Sequence, residues 1–348
     1  MLDAPTPYAD LTPDTVIDAL VAAGLDPDGR LLALNSYENR VFQIGLNDQS
    51  VAVAKFYRPG RWTHDQIVEE HAFALALAQE DIPLVAPMTL TVPVDSSART
   101  LGAAHTLALW QQGATLHRFS VSPRHGGRAP ELDDPEVLAW LGRLMARLHI
   151  VGRRQPFAHR HTLSVATVGR QARQWILEHG DIPEPQRANW LAVADQALDM
   201  AQAAFERVPG LRLGRIHGDC HLGNVLWTPQ GPHFVDLDDA CNGPAVQDLW
   251  MLLNGQRQDR QGALHALMDG YESIAEFDWR EWTLAEPLRT LRLIHHSVWL
   301  ARRWSDPAFP SAFPWFGTAI YWQQQADQLR EQIEWMSRDA EPSGSTWN

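Results

Sequence analysis

His217-Gly-Asp-Cys-His-Leu-Gly-Asn224, followed by Phe234-Val-Asp236-Leu-Asp-Asp239, is the stretch on which the fold turns. Between Arg215 and Asp239 two short strand-like runs bracket the turn Thr228-Pro-Gln-Gly-Pro. On either side the pattern is helical. Val137, Leu141, Leu144 and Leu148 recur at intervals of four, three and four, which places them on one apolar helix face. Gln171 to His179, Ala188 to Arg207 and Thr318 to Met336 read as further helices, and the polar tail from Ser337 to Asn348 reads as frayed.

Upstream the composition changes. Thr12-Pro-Asp-Thr-Val-Ile-Asp-Ala-Leu-Val has a polar start and Pro13 in its first turn, which predicts a helix. Arg40-Val-Phe-Gln-Ile-Gly and Ser50-Val-Ala-Val-Ala-Lys-Phe-Tyr have strand composition, with Leu46-Asn-Asp-Gln-Ser as the turn between them. Asp65 to Gln79 predicts a helix, and His105-Thr-Leu-Ala-Leu-Trp another strand ending at Gln111-Gln-Gly113, a reasonable hinge. There is no internal repeat. The expected plan is an α+β chain of two lobes: residues 1–112 as a small sheet-containing lobe, and residues 113–348 as a larger, mainly helical one.

Bulk properties narrow the chemistry. A chain of 348 residues with 45% apolar and 20% charged residues can bury one large core or two moderate ones. No run approaches the roughly 18 apolar residues of a membrane span, and the first residues lack a basic, apolar secretory signal. Two cysteines, Cys220 and Cys241, make no disulfide framework, so a reducing cytoplasm is expected. A net charge of −13 argues against general nucleic-acid binding, with a local basic patch left open around Arg58 and Arg61. Of 29 basic residues only Lys55 is a lysine. Arginine replaces lysine at most surfaces but poorly where a compact ammonium is needed, which makes Lys55 a candidate functional residue.

Phosphoryl transfer needs metal ligands, a group near the nucleophile and positive charge on the phosphates. Asp219 precedes Asn224 by five residues, the Asp-x-x-x-x-Asn spacing of a kinase catalytic loop. Asp219 would take or orient the proton of an acceptor hydroxyl, and Asn224 would offer a neutral oxygen to Mg²⁺. Asp236, twelve residues on, is placed to bridge the metal to the ATP phosphates, with Asp238 and Asp239 as alternative ligands. Lys55, in Val51-Ala-Val-Ala-Lys, would direct its ammonium at the α- and β-phosphates. Its carboxylate partner is expected on the following helix, at Glu69 or Glu70, with Glu70 favoured. His217 is expected to hold the loop and Cys220 to be packed. His217, Asp219, Cys220 and His221 could instead ligate zinc, but Gly218 and Gly223 interrupt the helix such a set needs, and the Glu of His-Glu-x-x-His is absent.

His-Gly-Asp-x-His-x-Gly-Asn with a following Asp resembles the aminoglycoside phosphotransferase and choline kinase superfamily. Leu34-Asn-Ser-Tyr-Glu-Asn-Arg-Val, Lys55-Phe-Tyr-Arg-Pro-Gly-Arg-Trp, Asn242-Gly-Pro-Ala-Val-Gln-Asp-Leu-Trp-Met-Leu-Leu-Asn and Trp304-Ser-Asp-Pro-Ala-Phe-Pro are similar to its branch of bacterial stress-response Ser/Thr protein kinases. The resemblance implies a bilobal, protein-kinase-like fold and a cytoplasmic, monomeric enzyme that uses ATP and Mg²⁺ on protein hydroxyls, its own among the candidates. It assigns Asp219 as proton acceptor, Asn224 and Asp236 as magnesium ligands, Lys55 as the ATP lysine and Ser36 as a nucleotide contact. Gly218 stands where eukaryotic-type protein kinases carry an arginine, so control by activation-loop phosphorylation is not expected. In place of a Gly-rich loop, Asn35-Ser-Tyr-Glu-Asn-Arg40 is expected to cover the phosphates with side chains.

Three functions follow. A Ser/Thr protein kinase is favoured by the segments above and by an exposed-looking Arg58-Pro-Gly-Arg61-Trp62. A kinase of an amino alcohol, sugar or aminoglycoside would want an acidic pocket facing Asp219. A degenerate nucleotide-binding scaffold is disfavoured because Lys55, Asp219, Asn224 and Asp236 are all present.

Overall fold

Thr12 caps the first helix with its hydroxyl, accepting from the Thr15 amide at 3.2 Å. This is the first element of a computed structural model that describes residues 7–253 and 261–340. Asn254 and the residues 341–348 of the expected polar tail lie outside the described residues. In chain order the elements are α1 (Pro13–Ala22), β1 (Pro27–Leu34), β2 (Arg40–Leu46), β3 (Val51–Phe56), α2 (His64–Gln79), β4 (Ala98–Leu101), β5 (Leu107–Gln112) and β6 (Thr115–Pro123). There follow α3 (Pro135–Gly152), α4 (Gln171–His179), α5 (Glu184–Glu206), β7 (Gly214–Ile216), β8 (Val225–Thr228), β9 (Gly231–Phe234), β10 (Cys241–Gly243), α6 (Val246–Met251), α7 (Gln261–Glu272), α8 (Ala285–Arg302), α9 (Ala308–Ala312) and α10 (Ala319–Ala340). The chain is α+β.

Six strands form one antiparallel sheet in the order β1-β2-β3-β6-β5-β4. Alternation in β3 sends Ala52, Ala54 and Phe56 into the core, where they meet Val16, Leu20, Phe119 and Val121. The opposite parity, Val53 and Lys55, faces the cleft. Gly113, expected as an interlobe hinge, instead sits in the turn between the paired strands β5 and β6, and the sheet runs on to Pro123. Its positive φ of 57° suits a tight turn, which explains why the residue looked like a hinge. The helical lobe holds a separate core centred on α3, α5, α8 and α10, with Trp190, Trp322, Leu198 and Leu291 fully enclosed.

Polar side chains tie the lobes together. Arg58 and Arg61, expected on an exposed basic segment, are buried. Arg58 contacts Asp306 at 2.7 Å and Glu38 at 3.1 Å. Glu38, from the β1–β2 loop, also accepts from Trp299 Nε1 on α8 at 2.7 Å and contacts Arg303, just past the end of α8, at 2.6 Å. Burying these charges costs solvation that each recovers only through its partners, so the clamp specifies how the lobes meet.

Candidate active site

The segment from His217 to Asp239 is held in place by Asp248 on α6. The Asp248 carboxylate accepts from the His217 and Gly218 amides, each at 2.8 Å, and lies 3.1 Å from His149 Nε2. Gly218 has φ +83°, and a Cβ there would stand 2.2 Å from the Asp239 carbonyl oxygen, so only glycine fits. His217 Nε2 lies 3.0 Å from the Val235 carbonyl, the structural role expected of it. Cys220 is buried with its sulfur 3.8 Å from Met145 Sδ. Among the described residues no group of three His, Cys, Asp or Glu side chains is arranged to hold a metal ion, which leaves the zinc alternative without a ligand set.

A cleft of about 780 Å³ opens between the lobes, lined by Ser36, Lys55 and Glu70 from the sheet side and by Asp219, Asn224 and Asp236 from the helical side. Lys55 Nζ lies 2.9 Å from Asp236 Oδ1 and 3.7 Å from Asp238 Oδ1. Burial disfavours the ammonium, but the two carboxylates outweigh it and hold the Lys55 pKa well above the ordinary lysine value. Asp236 adopts the left-handed conformation, φ 62° and ψ 68°, which turns its side chain, 49% exposed, into the cleft. A non-glycine residue in that conformation is strained, a state found where a functional geometry is over-determined by its surroundings.

Asp238 and Asp239 are occupied otherwise. Asp238 is buried, accepts from Asn39 Nδ2 at 3.0 Å and meets Arg61 Nη1 at 2.5 Å, while Asp239 meets the other terminal nitrogen of Arg61. Burial would raise the Asp238 pKa, yet Arg61, Lys55 and Arg160 bring it below the usual carboxylate range. Asp236 alone of the three is free of Arg61 and meets only Lys55. The Asn224 amide nitrogen donates to the Asp219 carbonyl at 2.9 Å, which leaves its amide oxygen as the free acceptor. Asn224 and Asp236 thus fit a magnesium ion completed by phosphate oxygens and water, the usual low protein share for that ion.

Asp219 has a different neighbourhood. Arg292 Nη1 on α8 stands 2.5 Å from its Oδ1, in charge contact but without an aligned hydrogen bond, and His221 Nε2 stands 3.5 Å from its Oδ2. Burial pushes the carboxyl up, but the His221 hydrogen bond and the Arg292 charge more than offset it and hold Asp219 low.

Two expectations need correction. Glu70 lines the cleft, yet its nearest cation is Arg160 Nη2 at 3.9 Å and no ion pair joins it to Lys55 among the described residues, since Asp236 and Asp238 take that place. Glu69 accepts from the amides of Ala158, His159 and Arg160 and braces that loop. The Asn35–Arg40 loop covers the cleft only in part. Ser36 lines it and its hydroxyl accepts from the Asn39 amide at 3.4 Å, but Glu38 and Asn39 turn inward to Arg58 and Asp238. The sequence did not point to Asp248, Arg292, His295 and His296 as site residues, and it placed Arg61 on the surface rather than against Asp238 and Asp239. For α8 a signal existed in the helical spacing of Arg292, His295, His296 and Trp299, but nothing local tied it to Asp219.

The family model of the phosphotransferase enzyme family matches residues 30–284. Stress response kinase A of Salmonella choleraesuis is 42% identical over 327 residues, covering 94% of both chains. The serine/threonine protein kinase RdoA of Salmonella typhimurium matches with the same identity and coverage. Among solved structures, an amicoumacin kinase complexed with AMP-PNP, Ca²⁺ and Ami superposes with TM-score 0.70 at 16% identity, covering 92% of both chains. A microcompartment-associated aminopropanol kinase gives TM-score 0.65 at 19% identity, over 94% of this chain and 98% of its own. At those identities the structural likeness carries the fold.

Proposed function

Because the chain belongs to the phosphotransferase enzyme family, we propose that it is a Ser/Thr protein kinase that transfers the γ-phosphate of ATP to protein hydroxyls. The observation that carries the reading is the contact of Lys55, from the sheet lobe, with Asp236, from the helical lobe, at 2.9 Å on a cleft shared with Asp219 and Asn224. The protein acceptor is supported by the name Ser/Thr protein kinase of a relative matching through nearly the whole of both chains.

Val41, Val53 and Leu226 supply apolar walls for an adenine ring, and Ser36 a hydroxyl beside it. Lys55 stays protonated and neutralises phosphate oxygens. Asn224 and Asp236 would hold Mg²⁺, which when bound offsets charge on the transferring phosphoryl group. Asp219 accepts the proton as the acceptor oxygen bonds to the γ-phosphorus, and the bond from that phosphorus to the bridging oxygen breaks to release ADP. We further propose that it acts as a cytoplasmic monomer in a stress response. Among the described residues no helix is long and apolar enough to cross a membrane.

Labelled ATP and Mg²⁺, with and without generic protein acceptors, test this. Label should enter a protein, and Asp219→Ala should lower the rate about 10²–10⁴-fold. Turnover only with small alcohols would overturn the protein-kinase reading.

A further inference from the structure

We propose that Arg292, with His295 and His296 on the same face of α8, forms an anion-binding subsite that selects acceptor hydroxyls lying beside a carboxylate. The Arg292–Asp219 contact is then the resting state that such an acceptor replaces. This rests on the protein-kinase reading for the acceptor's nature: a polypeptide Ser or Thr next to Asp or Glu.

Residues 292, 295, 296 and 299 follow helical spacing, and all four side chains line the cleft on the side where an acceptor must approach Asp219. The other cations of the cleft are engaged. Lys55 is held by Asp236 and Asp238, and Arg61 by Asp238, Asp239 and Glu38. Arg292, by contrast, has Asp219 as its single ion-pair partner among the described residues, and its side chain is 42% exposed. A guanidinium has five donors, so one ion pair leaves most of them without a charged partner.

The acidic group that also faces this region is Asp239, which Arg61 already holds and which His161 and His295 face. His295 and His296 are open to the cleft, yet the protein packed around them disfavours the charged form and lowers the basicity of both, so at neutral pH each presents an uncharged ring able to donate one hydrogen bond. His296 is stacked on Trp299 at 5.6 Å, which fixes its ring. The acceptor side therefore offers one under-used cation and several donors. An amine substrate would meet Arg292 with repulsion; a carboxylate would satisfy it.

The contact with Asp219 links recognition to chemistry. While Arg292 sits on Asp219, that carboxylate is a weak proton acceptor, because the paired charge favours its ionised form. An incoming carboxylate gives the guanidinium another partner and leaves Asp219 to the hydroxyl. Hydroxyls without such a neighbour must compete with Arg292 for Asp219.

The test compares peptides that differ only in Glu or Gln beside a single Ser, in parallel with 3-hydroxypropionate and its amide, using the wild type and Arg292→Gln. Wild type should favour the Glu peptide by about tenfold in kcat/KM, the factor expected of one hydrogen-bonded charge contact. In Arg292→Gln that ratio should fall to near unity. Equal use of both peptides by wild type, or an undiminished ratio in the variant, overturns the subsite. Should peptides take no label while small alcohols do, the protein-kinase reading fails, and the hydroxy acid and its amide decide the subsite by the same two criteria. Should no acceptor turn over, Trp fluorescence titration decides: tighter Glu-peptide binding that Arg292→Gln abolishes supports the subsite, and equal binding overturns it.

Discussion

The two sides of the cleft are built on opposite principles. Around Lys55 the buried charges share partners: Asp238 meets Arg61, Asn39 and Lys55, and Arg61 meets Asp238, Asp239 and Glu38. Around Asp219 the charges are sparse, and Arg292 is half-exposed with one ion-pair partner. Nucleotide handling calls for fixed electrostatics, since a preorganised field does not need to reorganise during transfer. Acceptor selection calls for charges that exchange partners. Under the proposed function, the difference puts rigidity on the nucleotide side and exchange on the acceptor side.

The comparison breaks if the two arginines behave alike when removed. Arg61→Ala leaves buried Asp238 with Asn39 and the more distant Lys55, and should cost about 3–5 kcal/mol in thermal or urea unfolding, as for other broken buried pairs. Arg292→Ala removes a half-exposed guanidinium from a single ion pair with Asp219 and should cost about 1 kcal/mol or less. Equal losses would show that the acceptor side is as fixed as the donor side.

Lys55→Arg probes the same contrast in turnover. A guanidinium keeps the charge but cannot occupy the place of an ammonium 2.9 Å from Asp236 without moving that carboxylate. The rate of transfer should fall on the order of 10²-fold, the scale of losing one aligned electrostatic contact, with a small change in Tm. Near-normal activity would make the single lysine an accident of composition.

Legibility divides along the same line. Lys55, Asp219, Asn224 and Asp236, which line one cleft, stood out because each lies in a short local pattern: an alternating strand for the first, one loop and its following strand for the others. The β2–β3 hairpin and the helices α1, α2 and α4 were legible from period and punctuation. β1 was missed because most of its residues are exposed or half-buried and show no alternation. β6 was hidden by reading Gly113 as the end of the lobe. Arg58 and Arg61 looked exposed because Pro59 and Gly60 suggest a surface turn, whereas their partners Glu38, Asp238 and Asp306 are distant in sequence. Arg292 is the extreme case, since its contact with Asp219 spans two helices and no local pattern encodes it.

Glu70 gives the finest test of how closed the donor side is. Burial raises its pKa from 4.5 to about 7, with Arg160 and Lys55 opposing that rise. Between those values the folded chain binds a proton that the unfolded chain has released, so stability falls as pH rises. The stabilisation is fully present below about 4.5 and gone above about 7. Gln at this position cannot ionise and should remove that slope. The difference in Tm between Glu70→Gln and wild type should therefore move in the variant's favour from pH 5 to pH 8. Relaxation and water entry reduce the effect to something on the order of 1 kcal/mol. Transfer activity should change less than in Lys55→Arg, because Asp236 and Asp238 still hold the ammonium. A flat difference in Tm across that range would mean that water reaches Glu70, and that the donor side is looser than the density of its ion pairs indicates.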